Sequence, residues 1–160
     1  MGNIPFSAEE TLKLAISIEE NGRKFHEGMA EESDDEELVE LFGKLAKEEE
    51  KHKKTFEDML GETLEENEDL NSLLYGGLED SYLEALADSK VFTSANDNIK
   101  AAKQASNRGE LLGIAISLEK DKILYYYEIL DKATSEKDRK IIQDIIEEEK
   151  SLIKLLANSR

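Results

Sequence analysis

The sequence predicts an all-α chain, a four-helix bundle of two helical hairpins joined by a long crossover that carries short helices. Three observations predict it. Apolar residues recur every three to four positions over four long segments, strand signals are absent, and the first half repeats in the second at a fixed offset. AISIEE (Ala15 to Glu20) aligns with AISLEK (Ala115 to Lys120) 100 residues later.

The elements follow in order. The first helix is expected over 8–32, opened by Ser7 and Glu10 in the pattern where a small polar side chain accepts the first free amides and an acid answers three residues on. The second runs over 34–60 from Ser33 and Glu36, and Gly61 suits its end. The third, over 108–133, starts from Asn107 and Glu110; the fourth, over 136–158, from the weaker pair Ser135 and Asp138. The single proline, Pro5, precedes them all. The crossover over 61–106 opens polar, holds Gly76-Gly77, and carries helical pieces around YLEALADSKVF and NIKAAKQAS, since a structureless link of that length is out of place in a compact domain. One domain over 1–160 results, with hairpins at 8–60 and 108–158.

Charged residues make up 37% of the chain and hydrophobic residues 39%, with a formal net charge of -17. The regular apolar spacing argues for a folded core beneath a highly charged surface. A field this negative repels nucleic acid and anionic membranes, so neither is expected as a partner. No cysteine is present, hence no disulfide and no thiolate metal site. MGNIPFSAEE lacks the basic and apolar regions of a signal peptide and no apolar run approaches membrane-spanning length, so a soluble, cytoplasmic protein is expected. A symmetric homodimer is the commonest assembly for such a chain.

Two stretches, EEEKHK (Glu48 to Lys53) and EEEKSL (Glu147 to Leu152), test the register of the repeat. Matching letters pairs residues 99 apart, which would set Ile146 against Lys47. The inward stripe of the second helix, Leu38, Leu41, Leu45, Glu49, His52, Phe56 and Met59, instead matches Ile141, Ile145, Glu149, Leu152 and Leu156 at an offset of 100. A structural repeat preserves its buried face, so Glu149 corresponds to Glu49 and Leu152 to His52. The stripes of the other two helices read Leu12, Ala15/Ile16, Glu19, Arg23, His26, Met29/Ala30 and Leu112, Ala115, Glu119, Ile123, Tyr126, Leu130, Ala133.

Each long helix thus sets one glutamate in mid-stripe: Glu19, Glu49, Glu119 and Glu149. Four buried carboxylates must be protonated, paired or bound to cations. Arg23 and Lys122 lie near enough in sequence to neutralise some of them. Two divalent cations would do so more completely, because carboxylate oxygens bridge metals and imidazole is a ligand suited to iron, manganese or zinc.

ETLKLAISIEENGRKFHEGMAEE, ELFGKLAKEEEKH, YLEALADSKVF and AISLEKDKILYYYEIL resemble the rubrerythrin branch of the ferritin-like di-iron carboxylate proteins, in the short form without a rubredoxin domain. The resemblance implies a ferritin-like bundle with two irons per chain. By position, Glu19 and Glu119 resemble the terminal carboxylates, Glu49 and Glu149 the bridging ones, and His52 the nitrogen ligand of the first metal. Tyr126 keeps the family tyrosine in the repeat and is a candidate either for a hydrogen bond to Glu19 or for redox protection. The chain departs from the pattern in three places: Leu152 stands for the second histidine, His26 for the usual tyrosine seven residues after Glu19, and Lys122 where peroxidase-type members carry a further glutamate. His26 is therefore expected to point inward, either as the replacement nitrogen ligand or as a hydrogen-bond donor to Glu119.

The implied function is an oxidoreductase that reduces peroxide or oxygen in oxidative-stress defence, fed by an external donor such as rubredoxin. Two other readings stand beside it. The chain could hold or buffer a divalent metal, zinc, manganese or a single iron at Glu19, Glu49 and His52, without turnover. Alternatively, it is a bundle that has kept its shape and binds no metal.

Overall fold

The structure, a computed structural model, describes residues 8–65, 95–133 and 135–160. Five helices fill them: α1 Ala8–Glu32, α2 Glu36–Glu65, α3 Ala95–Lys103, α4 Arg108–Lys132 and α5 Glu136–Asn158. No strand occurs among the described residues. Short connections fold α1 onto α2 and α4 onto α5 as antiparallel hairpins. The hairpins pack with α1 against α4 and α2 against α5, and α3 lies across α1 and α4. None of the described helices is long and apolar enough to cross a membrane.

The helix starts follow local chemistry. Asn107 Oδ1 accepts from the Glu110 amide at 2.9 Å, while Glu110 Oε2 accepts from the Ser106 amide at 2.7 Å. Ser135 Oγ accepts from the Asp138 amide at 3.3 Å. For α2 the expected cap is corrected. Asp35 Oδ1 accepts from the Glu37 amide at 2.9 Å, and Ser33 Oγ instead accepts from the Asp35 amide at 3.2 Å. A carboxylate two residues closer to the helix reaches its free amides directly. Gly61 does not end α2 either. The helix continues to Glu65 because Glu62 pairs with Lys137 of α5 at 3.1 Å and Thr63 is buried. Ser7 and the YLEALADSKVF segment lie outside the described residues.

Burial obeys the offset of 100. Leu12/Leu112, Ala15/Ala115, Glu19/Glu119, Leu45/Ile145, Glu49/Glu149, His52/Leu152 and Phe56/Leu156 are all buried pairs. The stripes shift in detail. Arg23, Ile123, Leu130 and Ile141 lie only partly buried at the flanks, while Lys122, Ile129 and Ile142 turn inward. Two apolar clusters form the core. One gathers Leu12, Phe56, Met59, Tyr125, Tyr126 and Ile146; the other gathers Phe25, Phe42, Leu45, Leu112, Leu152 and Leu156. Along every long helix the glutamate falls between residues of the two clusters, so the carboxylates form a polar layer across the middle of the bundle.

Two contacts fix the frame. Arg108 ties three helix ends together, with Nε donating to the Ser159 carbonyl at 2.8 Å and Nη1 and Nη2 pairing with Asp35 and Glu37 at 3.1 and 2.9 Å. Gly28 lets α3 approach α1, since a Cβ there would collide with Ile99.

Candidate metal centre

The middle layer brings six predicted residues together. Glu19 and His26 come from α1, Glu49 and His52 from α2, Glu119 from α4 and Glu149 from α5, and none is more than 2% exposed. His26 points inward, with Nε2 3.0 Å from Glu119 Oε1 and 3.6 Å from Glu49 Oε1. His52 Nδ1 lies 2.9 Å from Glu149 Oε1 and 3.8 Å from Glu19 Oε2. Tyr126 donates to Glu19 Oε1 at 2.5 Å, as the sequence suggests. Burial, reinforced by the charge of Glu19, pushes the Tyr126 phenol pKa up, so it remains a donor.

Of the two counter-charges the sequence offers, Lys122 is the one that enters the layer. Its Nζ sits among all four carboxylates, 2.9 Å from Glu149 Oε1, 3.1 Å from Glu119 Oε2 and 3.4 Å from Glu19 Oε2, and it donates to Glu49 Oε2. Arg23, the other candidate counter-charge, is not there. It pairs outside with Glu20, with Glu27 at 2.7 Å and with Glu50 at 3.4 Å, because position 23 falls on the flank of α1. The inward place one turn after Glu19 belongs to Gly22, where a Cβ would lie 3.1 Å from Glu49 Oε2. Glycine here admits the Glu49 carboxylate to the surface of α1.

The protonation preferences separate the acids into two kinds. Burial, then the neighbouring carboxylates, push Glu19 and Glu119 well above the ordinary range despite Lys122. Burial acts on Glu49 and Glu149 too, but Lys122, a hydrogen bond with Glu19 or Glu119 respectively, and a histidine outweigh it and hold both below that range. Burial opposes charge on His52, yet the hydrogen bond and charge of Glu149 raise its pKa.

Sequence reasoning missed Glu148. Its Oε2 lies 2.5 Å from His52 Nε2 while remaining half-exposed, so the imidazole spans the inner carboxylates and a surface one. A hydrogen bond on Nε2 directs Nδ1 toward the cluster as a donor atom. The signal was present in EEEK, but among 38 acids nothing marked it.

The donor chemistry suits a hard or borderline divalent metal. Glu19, Glu49, His52 and Glu149 each offer a ligand atom within 4.8 Å of the others, and so do His26, Glu49 and Glu119. The two groups share Glu49. Glu49 Oε1 and Glu149 Oε2 are buried yet accept no hydrogen bond, as oxygens suited to a cation would be. Imidazole and carboxylate together fit iron, manganese or zinc.

Comparison with known proteins agrees with this arrangement. A crystal structure assigned as a ferritin-like diiron-carboxylate protein of Thermotoga maritima is 29% identical, with a TM-score of 0.74 over 96% of this chain and 94% of that one. No curated protein matches. A family model described as Rubrerythrin matches residues 10–151. On that match, which spans most of the sequence, the chain belongs to the rubrerythrin family.

Proposed function

We propose that this chain is a rubrerythrin-type non-haem iron protein that binds divalent metal at its buried cluster and reduces peroxide or dioxygen there. One observation carries the reading: two histidine nitrogens converge on four buried carboxylates drawn from all four long helices, with oxygens left unpartnered. The carboxylates of Glu19, Glu49, Glu119 and Glu149 and the nitrogens of His26 and His52 are the groups that would hold metal. Bound iron supplies reversible one-electron redox chemistry and an open position for the oxidant.

The protein's own residues supply the rest. The apolar clusters on either side exclude water from the layer, Tyr126 holds Glu19 in orientation, and Glu148 holds His52. Reduction of hydrogen peroxide to two waters consumes two electrons and two protons. The chain has no cysteine relay, so the electrons come from an external donor such as rubredoxin.

A second reading is favoured by Lys122, whose ammonium already contacts every carboxylate and would satisfy them in a bundle that binds no metal. Metal content of protein purified without added metal, followed by anaerobic ferrous loading and absorbance on adding peroxide, separates the two. Bound iron that turns ferric with peroxide supports the oxidoreductase. Bound metal inert to peroxide leaves a metal-binding protein, and absence of binding leaves the second reading.

A further inference from the structure

Two cation positions lie back to back across the carboxylates of Glu49 and Glu119. On one face Lys122 Nζ takes Glu49 Oε2 and Glu119 Oε2. On the other, His26 Nε2 faces the opposite oxygens, Glu49 Oε1 at 3.6 Å and Glu119 Oε1 at 3.0 Å. Each carboxylate thus presents one oxygen to each face, which is how a carboxylate bridges two cations. His52 addresses the lysine face, since Glu149 Oε1 and Glu19 Oε2, the oxygens nearest its Nδ1, are the same two that the ammonium touches.

We propose that the Lys122 ammonium is a built-in substitute for one of two cations, so that the chain binds a single metal ion, on the face formed by His26 Nε2, Glu49 Oε1 and Glu119 Oε1. The inference rests on the metal-binding reading above and narrows it. A metal on the His52 face would need oxygens that the ammonium already holds, and two cations sharing one oxygen set at contact distance repel strongly in a buried layer. Lys122 is 1% exposed, so the ammonium is shut off from water where it stands. The His26 face differs. Glu49 Oε1 accepts no hydrogen bond there, and a cavity of about 10 Å³ lies beside His26 and Glu119, lined also by Gly22, Asn98 and Lys122. That is roughly the room of one water-sized group. Charge points the same way. Two divalent ions alone neutralise four carboxylates, so with an ammonium in place a second ion leaves excess positive charge buried.

The reading inverts what ligand counting from sequence suggests. The half that looks complete, with its Glu-x-x-His intact, is the half filled by lysine; the half that lost its helix-four histidine is the one open to metal.

The test is ferrous ion added anaerobically to the full chain, with bound iron per chain measured by plasma mass spectrometry and affinity by titration. The parent is compared with His26→Ala, His52→Ala and Lys122→Met, and circular dichroism reports the fold of each. One iron per parent chain is expected, with affinity falling at least tenfold further in His26→Ala than in His52→Ala, and two irons in Lys122→Met. Two irons in the parent, or a larger loss in His52→Ala than in His26→Ala, overturns the proposal. No iron in the parent but iron in Lys122→Met also overturns it, while leaving the cluster competent for metal. No iron in any variant removes the metal-binding reading itself. If Lys122→Met fails to fold, the comparison of the two histidine variants still decides.

Discussion

Replacing Lys122 with methionine keeps most of the side-chain volume and deletes the charge that the four glutamates share. At 2.9 Å, the attraction between the ammonium and an ionised Glu149 is about 6 kcal/mol at an effective dielectric near 20. Glu49 adds a second pair of the same kind. Much of this gross attraction offsets the desolvation of the ions, and leaving buried carboxylates without their partner costs about 3–5 kcal/mol net. For a chain of this size that lowers Tm by about 6–20 °C. Urea or thermal unfolding at pH 7 with a chelator present measures it. Acidification carries the sign. Without Lys122, Glu49 and Glu149 lose the contact that holds their pKa values down, and burial pushes those values above the ordinary 4.5. Between 4.5 and the raised value the folded state binds more protons than the unfolded, so stability rises as pH falls and the deficit against the parent shrinks from pH 7 to 5. A deficit below about 1 kcal/mol at pH 7, or one that widens on acidification, refutes a central ammonium.

Three further outcomes follow. Glu20 is held at a pKa of about 2, chiefly by its hydrogen bond to Arg23 and then by Lys53, against partial burial. Its depressed pKa gives stability that is present above 4.5 and lost as pH falls toward 2. Because both side chains keep some contact with water, Glu20→Gln should cost about 0.2–1 kcal/mol at pH 7 and nothing near pH 2, and a pH-independent difference in unfolding would contradict this. Tyr126→Phe leaves Glu19 Oε1 without its buried donor and should cost about 1–3 kcal/mol, unchanged from pH 6 to 9; equal stability to the parent would place Tyr126 outside the polar layer. Gly22→Ala gains about 1 kcal/mol of helix propensity but sets a Cβ 3.1 Å from a Glu49 oxygen pinned by Lys122. Its melting point should therefore change little while metal affinity falls about tenfold, and undiminished affinity would mean that the Glu49 carboxylate moves freely.

Much of the fold is legible because burial in a bundle repeats with the helix period. Glu19, Glu49, Glu119 and Glu149 stand out for interrupting apolar stripes, and the offset of 100 exposes Leu152 as the counterpart of His52. The period fails where steps of three and four are both allowed. After Glu19 the inward turn could fall on 22 or 23, and after Glu119 on 122 or 123. The expected choices, Arg23 and Ile123, follow the longer step, whereas the helices settle on Gly22 and Lys122. Neither residue bears an apolar mark, and nearness in sequence offered Lys122 as a counter-charge without choosing between it and Arg23. Glu148 was hidden for a different reason, since it acts from a half-exposed position adjacent to the stripe. The end of α2 was misread at Gly61 because the contacts that extend the helix, Glu62 with Lys137 and the buried Thr63, come from tertiary structure.

Three differences between the two halves fall in the polar layer, where they change the chemistry rather than the packing. His26 stands opposite Tyr126, His52 opposite Leu152 and Gly22 opposite Lys122. Both nitrogen donors therefore come from the first hairpin, while the second supplies the ammonium and the phenol. These differences are geometrically coupled. Lys122 reaches across to Glu49 of the first hairpin, and Glu49 meets it close against α1, where position 22 has no side chain. A lysine at 122 facing a bulkier residue at 22 would crowd the same carboxylate from two sides. A glycine at 122 would instead leave four acids to be neutralised by metal and protons alone. The pair Gly22 and Lys122 thus acts as one device, which seats Glu49 between a bare helix surface and a fixed positive charge and turns its other oxygen toward His26.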